Sequence, residues 1–306
     1  MSKVMNFATV VVENQTVCGQ NALEYILACF LKNRTADSGV RIVTDVIKSA
    51  LVSKMSGSNL VSCGNNCTFT PSGTLNLTEV ELTPCAFHIN LELCYQDLEG
   101  VYNGLNSGNL NTQDLGADFN RALRELLIGT MGETFEKVLW QGTTGTTMTG
   151  CTCTVDSLPS QILTNHIHAS GVTLSKTNII GYVDQMMAKL PPCLLEDTSK
   201  LKIYMNPKSL LYYKQALGAL GVILPSESLP TTYDGIEIYT IGAIPDNKMF
   251  VFQPENLVIA VGAMDNFSQL NILDMRQHNL DNSVRMSIQG KVDAKFIYEA
   301  EVVALG

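Results

Sequence analysis

Val284-Arg-Met-Ser-Ile-Gln-Gly-Lys-Val-Asp-Ala-Lys-Phe-Ile-Tyr-Glu-Ala-Glu-Val302 is the stretch that decides the fold. Every even position but Gly290 holds an apolar side chain or Ala, from Val284 through Met286, Ile288, Val292, Ala294, Phe296, Tyr298 and Ala300 to Val302. The odd positions are mostly polar: Arg285, Ser287, Gln289, Lys291, Asp293, Lys295, Glu299 and Glu301. Strict alternation marks a strand with one face buried. The phase survives Gly290, where a bend or bulge is tolerated. One register from 284 to 302 predicts a strand of roughly 60 Å, against the usual five or six residues. So long a strand suits an elongated, flat subunit better than a compact enzyme.

Working back along the chain, Thr74–Tyr95 also alternates, with Phe87, Ile89, Leu91 and Leu93 on one side and His88, Asn90 and Glu92 on the other. Between Ser56 and Gly100 there is no Lys or Arg, but Glu79, Glu81, Glu92, Asp97 and Glu99 are present. This segment predicts a long acidic β-hairpin that lacks a core of its own and must lie on something. Asp114–Trp140 carries a helical stripe of Phe119, Ala122, Leu123, Leu126, Met131, Phe135, Val138 and Leu139. It predicts a helix of about 40 Å at 1.5 Å per residue. The Gly- and Thr-rich stretch 142–154 is the main boundary in the chain.

Shorter elements flank these. Residues 1–19 predict an extended arm and Asn21–Leu31 an apolar helix. Asp37 and Ser38 predict the cap of a second helix, with Val43, Val46, Ile47, Ala50 and Leu51 at helical spacing. Thr177–Leu190 predicts a helix that presents Ile179, Ile180, Val183, Met186, Met187 and Leu190, stopped by Pro191-Pro192. Leu201–Met205 predicts a strand, and Asn206-Pro207 an N-cap with proline in the first turn of Lys208–Leu217. Strands follow at Gly235–Ile241, Met249–Phe252 and Leu257–Val261. The fold class is therefore α+β.

Composition narrows the function. The 306 residues carry a net charge of −9, with 45% hydrophobic and only 16% charged residues. A globular chain usually has about a quarter charged. Thr, Asn, Ser and Gln fill the gap, and such a surface is cheap to desolvate against other subunits. No basic cluster exists to neutralise phosphates or to hold an anionic membrane. No stretch of about 20 apolar residues spans a bilayer. The N-terminal residues lack the layout of a signal peptide, so the nine Cys are expected as thiols in a reducing compartment.

The candidate chemical sites are weak. Cys63-x3-Cys67 has zinc spacing, but Cys85 and Cys94, with His88 between them, do not continue it. Cys151-x-Cys153 reads as loop thiols. His88, His166, His168 and His278 lie in no nucleophile motif, and His166-x-His168, if extended, points two rings to one face without a nearby acid. Phosphate-binding glycine motifs are absent. Asp234-Gly235 reads as a turn, and Met186-Met187 as core. No catalytic, metal or cofactor site is expected.

The order of elements resembles the HK97-type major capsid proteins of tailed bacteriophages. The resemblance rests on the terminal strand at Ser283–Leu305, on Asn90-Leu-Glu-Leu-Cys-Tyr-Gln-Asp-Leu-Glu99, on Gln141-Gly142 after the long helix and on Asn206-Pro207. Tyr233-Asp-Gly-Ile-Glu-Ile-Tyr239, Ile244-Pro245-Asp246 and Glu255-Asn256-Leu257 add to it. It implies an N-arm and N-terminal helices over 1–54 and an E-loop over 55–100. A P-domain would cover 101–190, with its spine helix at about 114–140. An A-domain would cover 191–264 and terminal P-domain strands 265–306.

The implied function is a shell subunit that forms pentamers and hexamers of an icosahedral virion around double-stranded DNA, assembled in the bacterial cytoplasm. Portal, scaffolding and decoration proteins are the implied partners, with no membrane. Glu79 and Glu81 would meet Arg121 and Arg124 of a neighbour, or all four would simply be solvated. Lysine cross-linking of E-loops is not expected, since no lysine lies between Lys54 and Lys137. The chain starts near the N-arm, so any scaffold is expected to be a separate protein. Alternatives are an encapsulin-type nanocompartment, a metal- or thiol-dependent enzyme built on Cys63 and Cys67, and a tail or decoration protein.

Overall fold

The computed structural model describes residues 15–18, 34–44, 46–58, 73–94, 129–142, 154–169, 171–221, 232–262, 269–275, 281 and 283–306. The N-terminal arm and apolar helix (apart from 15–18), the first half of the long helix and the loops at 59–72 and 143–153 lie outside them.

The organising element is β13 (Ser283–Phe296). One of its edges pairs antiparallel with β5 (Cys85–Cys94) along residues 283–292. The other edge is shared end to end. β12 (Gln269–Asp274) takes residues 284–288, and β11 (Leu257–Gly262) takes 291–296. Gln289 and Gly290 fall at the hand-over. β1 (Gln15–Cys18) extends the sheet beyond β12, and β2 (Arg41–Val43) adds a parallel strand beside β11.

The even-position face holds as predicted: Met286, Val292, Ala294 and Phe296 enter the main core. The length does not. The strand ends at Phe296, not at Val302, because buried Asn256 captures the chain there. Its Oδ1 accepts from the Tyr298 N–H at 2.7 Å, its Nδ2 donates to the Tyr298 carbonyl at 2.8 Å, and its own carbonyl accepts from Ile297 N–H at 3.0 Å. A short 3-10 turn then redirects the chain into β14 (Val303–Leu305) of a second sheet.

That second sheet runs β6-β14-β10-β7-β9-β8, from β6 (Ile167–His168) through β10 (Met249–Phe252), β7 (Lys202–Met205) and β9 (Ile236–Thr240) to β8 (Thr232–Tyr233). Asp234 and Gly235 make the two-residue β8–β9 turn with φ of 47° and 81°, the left-handed pair such a hairpin requires.

The helices cover this sheet. α1 (Arg34–Asp37) comes first in the chain, then the helical residues 129–141, here α2, and then α3 (Ile179–Lys189), α4 (Pro192–Leu195) and α5 (Pro207–Ala219). α3 buries Ile179, Val183 and Met186, with Ile180 and Met187 packed at the margin. Asn206 caps α5, its Oδ1 accepting from Lys208 N–H at 2.9 Å while its Nδ2 donates to the Ile244 carbonyl. Asn206→Ala is expected to cost about 2 kcal/mol in urea unfolding, more than a plain cap because the Ile244 tie also goes.

α2 supplies the centre of the main core through Met131, Phe135, Val138, Leu139 and Trp140. Gly142, at φ 76°, ends it by donating to the Val138 carbonyl. The fully buried Trp140 donates from Nε1 to Thr35 Oγ1 at 3.0 Å, and Thr35 donates from Oγ1 and N–H to Glu136 Oε1 at 3.1 and 3.0 Å. Tyr204 closes the cluster by donating to Ser38 Oγ. Burial pushes the Glu136 carboxyl up against the pull of the Thr35 hydrogen bonds, and it pushes the Tyr204 phenol up as well.

Two expectations are corrected here. The helix expected after a cap at Asp37 and Ser38 does not form: the single turn of α1 ends at Asp37, and β2 and β3 (Ala50–Ser58) follow. The 43-46-47-50-51 spacing fits a helix, but pairing with β11 and β4 decides the conformation. The segment expected as one hairpin is two structures. β3 pairs with β4 (Thr74–Leu82), whereas β5 turns at Thr83-Pro84 and joins the main sheet.

Candidate inter-subunit surface

β3 and β4 form a separate two-stranded ribbon in nine consecutive pairs, from Ala50↔Leu82 to Ser58↔Thr74. Partners across an antiparallel pair share a face. One face carries Ala50, Val52, Lys54, Val80 and Leu82 at its root. Val52 and Leu82 are buried with Val46 against Val258, Ala260 and Ile297. Farther out, the Lys54 ammonium lies 5.2 Å from the Tyr298 ring centroid.

The other face is open along its whole length: Leu51, Ser53, Met55, Gly57, Leu75, Leu77, Glu79 and Glu81 are all exposed. Leu51 is 59%, Met55 58%, Leu75 63% and Leu77 64% accessible. Four large apolar side chains on one side of a two-stranded ribbon gain nothing from facing water. Such a ribbon is marginal alone and gains stability by packing on another surface. Contiguous exposed apolar area rimmed by polar groups marks a protein contact.

Glu79 and Glu81 lie on this same face towards the root, opposite Ser53 and Leu51. Among the described residues neither forms an ion pair within the chain, while the Glu81 carbonyl accepts from Lys295 Nζ at 2.8 Å. Arg121 and Arg124 lie outside the described residues. The apolar half of the face escapes sequence reading because Leu51 fits a helical stripe. The available signal was Leu75-x-Leu77, next to the acidic pair on the same parity.

The second cysteine pair, which does not continue the zinc spacing in sequence, does not do so in space either. Cys85 and Cys94 sit at opposite ends of β5, on opposite faces, about 30 Å apart at strand rise. Cys85 is disulfide-bonded, contrary to the reading of nine thiols, while Cys94 and Cys193 are exposed free thiols. Cys63, Cys67, Cys151, Cys153 and His278 lie outside the described residues. His166 ends a 3-10 turn, so it and His168 are not on one extended segment. Among the described residues no three His, Cys, Asp or Glu side chains gather at metal-binding distance. On the solvent side of β5, Glu92 accepts from Arg285 Nε at 3.0 Å and Ser283 Oγ at 2.9 Å, which holds its carboxyl below the usual range.

The fold is similar to that of several solved shell proteins. The capsid of a native GTA particle has a TM-score of 0.53 to this chain, over 91% of it and 89% of the other, at 12% identity. The satellite phage P4 procapsid gives 0.53 over 89% and 95%, also at 12%. The SrpI encapsulin of Synechococcus elongatus PCC 7942 gives 0.54 over 90% and 87%, at 10%.

The chain has the HK97-type shell fold.

No family model and no curated protein matches the chain. No described helix is long and apolar enough to cross a membrane.

Proposed function

We propose that this chain is the major capsid protein of a tailed bacteriophage. Identical copies form pentamers and hexamers, which close into an icosahedral shell around double-stranded DNA. The observation that carries this reading is the open face of the β3–β4 ribbon, which supplies apolar area for a neighbouring copy within a shell fold. In this reading the ribbon belongs to the E-loop, β7–β11 with α4 and α5 belong to the A-domain over 191–264, and α2, α3 and β12–β14 belong to the P-domain. The protein acts by assembly, not catalysis, and the net charge of −9 suits a wall that does not adhere to the packaged DNA. It functions in the virion after assembly in the bacterial cytoplasm, with portal, scaffolding and decoration proteins as partners.

Negative-stain imaging of the protein expressed alone tests the class: closed shells of one diameter are expected. The second reading, an encapsulin-type compartment, is favoured by the SrpI likeness. The contents of purified particles separate the two, DNA in one case and cargo enzyme in the other.

Glu79 and Glu81 are proposed to meet cations of an adjacent copy, with Arg121 and Arg124 as candidates. Glu79→Lys combined with Glu81→Lys is expected to lower shell yield several-fold, and 1 M salt to lower the yield of the unaltered protein. Screened exposed pairs behave in this way. Equal yields of variant and parent in light-scattering assembly assays would remove the two acids from the contact.

A further inference from the structure

The hairpin leaves the body through two feet, Val46–Ala50 leading into β3 and Glu81–Pro84 leading out of β4. Both feet rest on one patch of the main sheet. Val258, Ala260 and Gly262 of β11 pair with Lys295, Asp293 and Lys291 of β13, so all six residues share the face under the hairpin. Three consecutive same-face positions of β13 each reach a backbone group at the feet. Lys291 Nζ donates to the Ile47 carbonyl at 2.6 Å, Thr83 N–H donates to Asp293 Oδ2 at 2.7 Å, and Lys295 Nζ donates to the Glu81 carbonyl at 2.8 Å. Between them the first foot presses onto the sheet: a Cβ on Gly262 would stand 2.1 Å from the Val46 carbonyl oxygen.

We propose that Gly262, Lys291, Asp293 and Lys295 form a joint that sets the angle at which the hairpin leaves the body, and that this angle decides how one copy meets the next. The second half of the proposal rests on the shell-subunit reading. The apolar contact at the root, Val46, Val52 and Leu82 on Val258, Ala260 and Ile297, attracts without direction. Directional bonds from a charged group at each of three points supply what it lacks. Charge-assisted hydrogen bonds are short and stronger than neutral ones.

All three bonds address backbone atoms, so they fix the path of the feet and leave the outer side chains free for a partner. Asp293 is the most constrained member. It is 5% accessible, and its second oxygen accepts from Ala294 N–H at 2.8 Å. Both of its partners are donors, so an amide would set an NH2 group against one of them. Burial raises its carboxyl above the usual range, while the Thr83 and Ala294 bonds and the nearby Lys295 charge oppose that rise.

The test uses Lys291→Met with Lys295→Met, which keeps the half-exposed stems and deletes both donors, and separately Asp293→Asn. Lys291→Arg with Lys295→Arg is the conservative control. Hydrogen exchange on dissociated subunits reads the feet, and electron microscopy of assembled particles reads the geometry. The expected result is exchange about tenfold faster in peptides covering 46–50 and 81–85, matching the loss of roughly 1.4 kcal/mol of local protection. Global melting is unchanged in the double Met variant, and its particles lose their single diameter, which the double Arg variant keeps.

Unchanged exchange in the Met and Asn variants overturns the joint. Faster exchange with shells of the parental diameter overturns its role in assembly. If the parent protein forms no shell at all, the proposed function falls, and the exchange arm alone still decides whether the joint exists.

Discussion

Leu75→Asp together with Leu77→Asp is expected to leave the subunit folded and to abolish closed particles. Both side chains are more than 60% accessible in the isolated chain, so the thermal midpoint of dissociated subunits should match the parent. In a shell the same leucines are covered by a neighbour. Full burial of one leucine is worth about 1.5–3 kcal/mol, and an aspartate in its place adds an unpaired charge to a dry contact. Two sites per copy amount to several kcal/mol at each junction, and each 1.4 kcal/mol is tenfold in association. Sedimentation should therefore show at least a hundredfold loss of particles. Leu163 and Leu195, exposed away from the ribbon, provide the matched control pair. Particles at parental yield from the ribbon variant would mean that this face stays in solvent and that the ribbon packs by its other side.

The second large effect is internal. Trp140→Ala is expected to destabilise the subunit by about 3–5 kcal/mol in urea unfolding. Trp140 is fully buried, with its ring centroid 5.0 Å from that of Phe250 and 6.2 Å from that of Tyr204. Trp140→Phe restores most of the volume but not the indole N–H, and Thr35 then loses a donor partner. It should cost about 1–3 kcal/mol. Against a total of typically 5–15 kcal/mol, the alanine variant should already accumulate as insoluble chains at 37 °C. A loss under 1 kcal/mol for the alanine variant would show that the α1–α2 cluster is not the keystone of the main core.

Local signals that need no distant partner were legible. Asn206-Pro207 specifies its own cap, Asp234-Gly235 its own turn, and Ile179, Val183 and Met186 their own buried stripe. The even positions of β13 were legible for the same reason. What failed depended on residues far away in the chain. The 43–51 spacing fits a helix, and what overrides it is pairing with β4 and with β11, the latter more than two hundred residues on. Asp293 reads as an outward polar residue because alternation knows only two sides of a strand. It is buried because the feet of a hairpin from the first third of the chain come to rest on that side. The open face of the ribbon was half legible: its acids were singled out from the sequence, but its leucines were not, because exposure cannot be read from parity alone.

The placement of β13 and β14 also governs when the protein becomes competent. β5, β11 and β12 all await β13, and β6 and β10 both await β14. Neither sheet can close until residues 283–305 have left the ribosome, although the ribbon and its sticky face are synthesised much earlier. A nascent chain thus carries an adhesive surface without the body that orients it, held back by the slow closure of long-range strands. Order of synthesis thus puts the open ribbon early and the strand that anchors its feet late.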